Sequence, residues 1–522
     1  MTFNLADLLD RVADAVPDRT AVVRGATRLT FAQLRARAGR VAAALVDSGV
    51  GRGDHVGISL RNRPEYLEVL WGAFWIGAVP VNVDHRYLDD ELAHVLADAR
   101  VRFVVHEPEN ERRLAGLHPQ LPGLERTVAV GEPYEDLLAG AGPTPGTDGR
   151  SDDDRYVLYT GGTTGAPKGV EWRHRDVFVA ALGGGNRLGP PIEHPDEIVE
   201  HLSPVPNRVL PASPLLHGTA TWLALTTLFA GSTVVLSPDR SLDAARLLDL
   251  VDAEEVSYLV VVGDAFAVPI VDRLRAEPDR WDLSSLTVLV SGGATLSTPV
   301  RHALLGLLPW IVVVDGYGTS ETGGQITMAY SAGAAETDGP PRFEPRPDTA
   351  VLHDDLRPVA PGSGRTGRVA RRGAIPIGYL GDPEATAATF PVVDGVRWAL
   401  TGDQATVEAD GTIVLLGRGS STINSGGEKI HPEEVEAVLK SHPAVYDAVI
   451  VGVPDRRWGE RVAAVVSIRR GATVTVDQLE AHCRARLAGY KTPRTMVLVD
   501  AVRRKESGKA DYRWARAVAT GR

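Results

Sequence analysis

The run Tyr159–Gly169 reads YTGGTTGAPKG and follows directly on an apolar run, Tyr156–Leu158, with the character of a strand. Its four glycines let backbone amides approach phosphate oxygens, its three threonines donate hydrogen bonds, and Lys168 adds a charge. The usual phosphate-loop pattern is absent, because Lys168 follows Pro167 and no G-K-[ST] occurs. A flexible surface loop is the competing reading, and composition weighs against it. Lys and Arg together number 56, yet only six are lysines: Lys168, Lys429, Lys440, Lys491, Lys505 and Lys509. A lysine kept in so arginine-rich a chain points to a place that needs a compact point charge. Three of the six stand in glycine-rich segments, and Lys168 reads as a phosphate contact.

Outward from this loop the pattern is α/β. Strand-like runs at His55–Ser59, Val79–Val83 and Val101–Val105 alternate with helical periods near Glu65–Ile76 and Asp89–Asp98. That alternation predicts parallel sheets flanked by helices on both faces. Gly140–Ser151 and Ser331–Thr349 read as loops, and Val351–Ile413 as a small β-rich subdomain. Beyond Gly417 a helix over Pro432–Ser441, strands at Asp447–Val453 and Arg461–Ile468, a helix over Val476–Ala488 and a strand at Thr495–Val499 make a small α+β domain. The predicted division is therefore 1–417 and 418–522, as expected for 522 residues, too many for one core. Gly362–Gly367 (GSGRTG) satisfies G-x-G-x-x-G but lacks the strand and helix around it, and reads as a turn.

Bulk properties exclude several classes. A net charge of −11 without a basic run argues against nucleic-acid binding. No signal-peptide pattern stands at the N-terminus and no apolar run reaches a bilayer span of ~20 residues, so a cytoplasmic protein without a membrane span is expected. Cys483 is the single cysteine, which excludes an intramolecular disulfide and a multi-thiolate metal site and suggests a buried, inert thiol. The oligomeric state is open, a homodimer included.

Six further segments carry chemistry. Ser291–Leu296 (SGGATL) places Gly292, Gly293 and Ala294 at a strand end, where a flat ligand fits against backbone. Asp315–Gly323 (DGYGTSETG) offers the Tyr317 ring for stacking and Glu321 as a hard oxygen ligand. Asp403, in TGD, is an acceptor-only carboxylate or a turn cap, and Arg418 follows in LGR. Asn424–Ile430 (NSGGEKI) and Ser507–Lys509 (SGK) pair glycines with two of the rare lysines.

Together and in this order, these segments resemble the adenylate-forming superfamily: acyl-CoA synthetases, luciferase-like ligases and adenylation domains. The resemblance covers nearly the whole chain. It implies an ATP-dependent acid–CoA ligase that first makes acyl-AMP and pyrophosphate and then a CoA thioester. It assigns ATP binding to Thr160, Gly161, Gly162, Thr163, Thr164 and Lys168, to Gly292, Gly293 and Ala294, and to Asp315, Gly316, Tyr317, Gly318, Thr319 and Ser320. Asp403 and Arg418 would contact ribose, and Glu321 with Thr160 would hold Mg²⁺. Lys509 becomes the catalytic lysine, with Glu321 beside it. His217, Gly218, Trp222, Phe266 and Gly184 fall to the acyl pocket, and Ser425, Gly426, Gly427 and Lys429 to the path of the CoA thiol. The family's C-terminal domain rotates between the two steps. Ser421 stands at the hinge, where a charged residue is usual, and Arg503-Arg504-Lys505 replaces a more usual proline and threonine pattern.

The closest resemblance is to an actinobacterial branch that handles steroid side chains and fatty acids, which implies a bulky lipophilic carboxylic acid: steroid, terpenoid or fatty. Gly183–Gly185 would either leave volume in the acyl pocket or simply form a turn, and the sequence favours neither. Two other functions stay in view: a stand-alone adenylating enzyme that loads a separate carrier protein, and a silent nucleotide-binding scaffold. Retention of Lys168, Glu321, Asp403 and Lys509 together argues against the scaffold.

Overall fold

The computed structural model describes residues 2–160, 167–186, 189–334, 341–418, 421, 423–425, 428–455, 458–505 and 508–521, with the backbone alone at 418, 424, 428 and 429. Two large sheets dominate the N-terminal domain. In the first, Val79–Asn82, His55–Ser59, Val101–His106 and Arg126–Ala129 run parallel with Arg155–Thr160, while Lys168–Arg173 and Gly378–Tyr379 close one edge antiparallel. In the second, a parallel core runs from Thr20–Arg24 through Thr233–Val235, Arg208–Pro211, Tyr258–Val261 and Val288–Gly292 to Val312–Thr319. Antiparallel strands Thr27–Thr30 and Gly323–Tyr330 flank it.

Burial on both faces explains the continuous apolar strands. Helices Leu5–Ala15, Phe31–Asp47, Pro64–Trp75 and Gly218–Phe229 fill the layer between the sheets and share one core with both. Asp89–Asp98 covers the outer face of the first sheet, and Ala244–Ala253, Gly263–Ala276 and Thr298–Leu307 cover that of the second. Local signals start these helices where they stand. Thr30 and Gln33 cap Phe31–Asp47 reciprocally, at 3.2 and 2.9 Å, and Pro64 opens Pro64–Trp75 at a position that needs no N–H. That second helix is buried on nearly every side because it lies inside the middle layer, and its buried Glu68 is paired with Arg37.

A third, antiparallel sheet follows in the order Arg342–Phe343, Ile413–Arg418, Val396–Val407, Gly367–Arg372, Thr349–Leu352. In the C-terminal domain, long strands Val445–Asp455 and Gly459–Ile468 pair antiparallel, with Thr495–Val499 parallel at the side. The α/β architecture read from the sequence holds, with mixed rather than purely parallel sheets. Helix Val476–Arg484 stops short of the predicted Ala488, tightening at its end where Arg486 N–H donates to the Cys483 carbonyl. Cys483 is buried, and burial pushes its thiol up to about 11. No helix among the described residues is long and apolar enough to cross a membrane.

One core histidine sets a pH dependence. His174 is fully buried, its ring 4.6 Å from Phe74, and its Nδ1 accepts the Leu5 N–H at 3.2 Å. Burial lowers its pKa from 6.5 to about 3. The unfolded chain therefore binds the proton first as pH falls below 6.5, and this site's stability contribution, full above 6.5, is lost toward pH 3. At pH 5 the loss is roughly 2 kcal/mol. His174→Phe should narrow the stability difference between pH 7 and pH 5 by about that amount in urea unfolding; an unchanged difference would place the titration elsewhere.

Candidate active site

Residues from the ends of three strands and the edge of the first sheet meet at one face. Thr160 ends its strand directly opposite Lys168, and Tyr159 OH hydrogen-bonds Asp98 at the base of the loop. The Lys168 Nζ reaches Asp382 at 2.8 Å and lies 5.4 Å over the Tyr379 ring. Tyr379 OH in turn donates to Glu321 Oε1 at 2.9 Å. Tyr379 thus lies between Lys168 and Glu321, and Asp382 pairs with Lys168; the sequence reading singled out neither. Asp382 caps helix Pro383–Thr389 through the Ala385 N–H at 2.9 Å and spends its second oxygen on Lys168. An Asp-Pro helix start after Tyr379 was the available signal, but it announces a cap, not a partner. Trp172 Nε1 donates to the Ser320 carbonyl at 3.0 Å and holds the Glu321 turn against the first sheet.

A second group lies on the neighbouring strands. Gly292 pairs with Gly316 and Ser291 with Asp315 in parallel register, with Gly293 and Ala294 next in the chain. Burial pushes the Asp315 carboxyl up to about 6, opposed by Arg301 and reinforced by Asp264. Tyr317 OH donates to Asp403 Oδ2 at 2.7 Å, and one face of its ring stacks on Phe343 at 6.4 Å and 22°. Asp403 stands opposite Arg418 across the antiparallel pair. Gly318 meets Gly324 in the hairpin, and the Thr319 hydroxyl accepts the Glu321 N–H at 3.2 Å. If Asp403 takes the ribose of ATP as the resemblance implies, Tyr317→Phe, which removes a hydrogen bond to that carboxylate, should raise the KM for ATP about tenfold with a smaller change in kcat; an unchanged KM would contradict that assignment.

The C-terminal domain supplies the third side. Arg504 and Ala510 form a β-bridge, and Gly508 N–H and Lys505 N–H close a tight loop onto the carbonyls of Lys505 and Lys509 at 2.8 and 2.9 Å. Gly508 has φ +76° and presses on the N-terminal domain: a Cβ there would lie 3.1 Å from the Val262 carbonyl oxygen. His217 has its pKa lowered to about 4, chiefly by burial, with the charges of Arg86 and then Lys509 adding to the fall. A cavity of about 340 Å³ opens beside the loop, lined by His85, Pro214, Asp264, Phe266, Arg504 and Gly508 among others.

Residues 9–379 match the model of the AMP-binding enzyme family, and residues 434–509 that of its C-terminal domain. The chain belongs to the AMP-binding enzyme family. A medium/long-chain-fatty-acid–CoA/3-oxocholest-4-en-26-oate–CoA ligase of Mycolicibacterium smegmatis is 44% identical to this AMP-binding enzyme, covering 99% of the chain and 97% of its own. A 3-oxocholest-4-en-26-oate–CoA ligase of Rhodococcus rhodochrous is 41% identical, over 99% and 96%. The crystal structure of ATP-bound MatB from Rhodopseudomonas palustris superposes with a TM-score of 0.83 at 25% identity, covering 99% of both chains.

Within this AMP-binding enzyme the residues expected at the acyl pocket separate. His217 opens helix Gly218–Phe229, and its Nε2 is buried without a hydrogen-bond partner among the described residues. Gly218 and Trp222 adjoin it, and Trp222 packs edge-on against Trp172 at 6.4 Å. Phe266 instead lines the cavity between the domains. Gly184 does not leave open volume. Its φ is +58°, and a Cβ there would sit 2.7 Å from Pro191 Cβ, so the turn reading holds for Gly183–Gly185. Ser421, the residue expected at the hinge, has its Oγ 3.4 Å from Glu433 Oε1, and Ser425 is buried on the strand that pairs with Glu428–Ile430. Gly161, Gly162, Thr163, Thr164, Gly426, Gly427 and Ser507 lie outside the described residues, as do the side chains of Arg418 and Lys429.

Proposed function

We propose that this AMP-binding enzyme is an ATP-dependent acid–CoA ligase for a bulky lipophilic carboxylic acid, steroid, terpenoid or fatty. The observation that carries the reading is the loop entering Lys509, packed through Gly508 on Val262 of the N-terminal domain, in a chain where Tyr379 lies between Lys168 and Glu321. The curated relatives named for fatty and steroid acids support the substrate class, and their CoA ligase names do not favour a carrier protein as acceptor. The reading places the enzyme in the cytoplasm.

In the first step a carboxylate oxygen of the acid bonds to the α-phosphorus of ATP while the bond to the β-phosphate oxygen breaks, and pyrophosphate leaves with the electron pair. Two anions meet, so the chain must supply positive charge. Lys168 faces the departing phosphates, and Lys509 bridges the incoming carboxylate and the α-phosphate. Tyr317 offers its ring to adenine, and Asp403, anchored by the Tyr317 hydroxyl, accepts from the ribose hydroxyls with Arg418 beside it. His217 is neutral at pH 7 and borders the acyl group. In the second step the CoA sulfur bonds to the acyl carbon and the bond to the AMP oxygen breaks. The thiol proton passes to solvent. This step needs the Lys509 loop withdrawn by rotation at Ser421 and the path along Ser425–Lys429 opened.

Among the described residues no cluster of three or more His, Cys, Asp or Glu side chains could hold a metal. Mg²⁺ needs no such cluster, because it binds through one or two protein oxygens and the substrate's phosphates. Glu321, with one oxygen on Tyr379, and Thr160 would hold it, and its charge would offset that of the phosphates. ATP–pyrophosphate exchange across fatty, aryl, steroid and terpenoid acids, repeated with CoA and mass detection, tests the assignment. A lipophilic acid should give both exchange and a CoA thioester. Exchange with aryl acids alone would overturn the substrate class, and exchange without thioester would overturn CoA as acceptor.

A further inference from the structure

We propose that Lys440 is a positioning residue for Lys509, fastening the catalytic loop to the N-terminal domain during adenylation; this rests on the reading of Lys509 above. Lys440 ends helix Pro432–Lys440 in the C-terminal domain. Its Nζ lies 3.4 Å from Asp264 Oδ2 in the N-terminal domain and 3.5 Å from Asp447 Oδ1 in its own. Asp447 takes both Nε and Nη2 of Arg504 at 2.7 Å, and Arg504 Nη1 donates to the Gly508 carbonyl at 3.0 Å. That carbonyl belongs to the peptide bond entering Lys509. One unbroken chain of charges therefore runs from Asp264 through Lys440, Asp447 and Arg504 to the catalytic loop.

The chain is buried where it crosses between the domains: side-chain exposure is 11% at Lys440, 7% at Asp264 and 13% at Asp447. A pair this dry holds its geometry, and loss of one partner leaves the other charge stranded. Asp264 is itself fixed, since its Oδ1 accepts the Ser297 N–H at 2.8 Å. A compact ammonium between two carboxylates also accounts for a lysine in so arginine-rich a chain, outside any glycine-rich segment. The link to Asp264 exists only while the loop is docked, so it biases the enzyme toward adenylation and has no part in thioester formation.

Two variants test it. Lys440→Met removes the cation, and Asp264→Asn removes the opposing charge on the other domain while keeping the oxygen that accepts from Ser297. Each should slow single-turnover acyl-AMP formation about tenfold and leave thioester formation from pre-made acyl-AMP within about twofold. The double variant should be no slower than the slower single. Hydrogen exchange of the free enzyme supplies an activity-independent readout: both variants should exchange faster over 503–511 and at Gly263–Ala276. Equal losses in both half-reactions, or unchanged exchange in both variants, would overturn the proposal. Faster exchange in a protein that adenylates no acid would leave the fastening in place and sink the functional reading instead.

Discussion

Lys509→Ala should lower acyl-adenylate formation by two orders of magnitude or more, the scale of removing one charge contact to a developing transition state. Lys509 follows Gly508, which packs against Val262, and stands inside the Arg504–Ala510 bridge. Ground-state binding of ATP should change little, because Lys168 stays in place and the nucleoside contacts lie on other strands. Thioester formation from synthetic acyl-AMP should fall by less than tenfold, since the α-phosphate is already esterified and no charge builds there. Single-turnover assays of the two half-reactions separate these effects. Equal losses in both would make Lys509 a structural residue.

Glu321→Gln has the second largest expected effect, about a hundredfold in adenylation with a raised requirement for Mg²⁺. The amide keeps the size of the side chain and the bond from Tyr379 OH, so the turn should hold. It loses the charge that draws a hard cation to the phosphates. Tyr379→Phe frees the carboxylate without removing it and should cost tenfold or less in the same assay. Magnesium titrations of pyrophosphate exchange check both. A Glu321→Gln enzyme with the wild-type magnesium dependence would remove Glu321 from the metal site.

The fold was legible where periodicity was long. The helix over Asp89–Asp98 and the strand at His55–Ser59 stand where the pattern placed them. Arg342–Phe343, within a stretch read as loop, was missed because a two-residue strand has no period to show, yet Phe343 stacks on Tyr317. The candidate site was legible where glycine, hydroxyl and lysine stand together in one segment. Pairs that meet only in three dimensions were not: Lys168 and Asp382 lie 214 residues apart, Tyr379 and Glu321 58, and Lys440 and Asp264 176. The rarity of lysine was the one trace of Lys440's place. Gly184 marks a choice that sequence leaves open, since a glycine spared for a tight turn looks there like one spared for open space.

The most direct test incubates the enzyme with ATP, Mg²⁺ and an accepted acid, without CoA, and resolves the products by mass. Acyl-AMP and pyrophosphate should accumulate, and added CoA should convert the acyl-AMP to thioester and AMP. ADP and phosphate in their place would contradict the account.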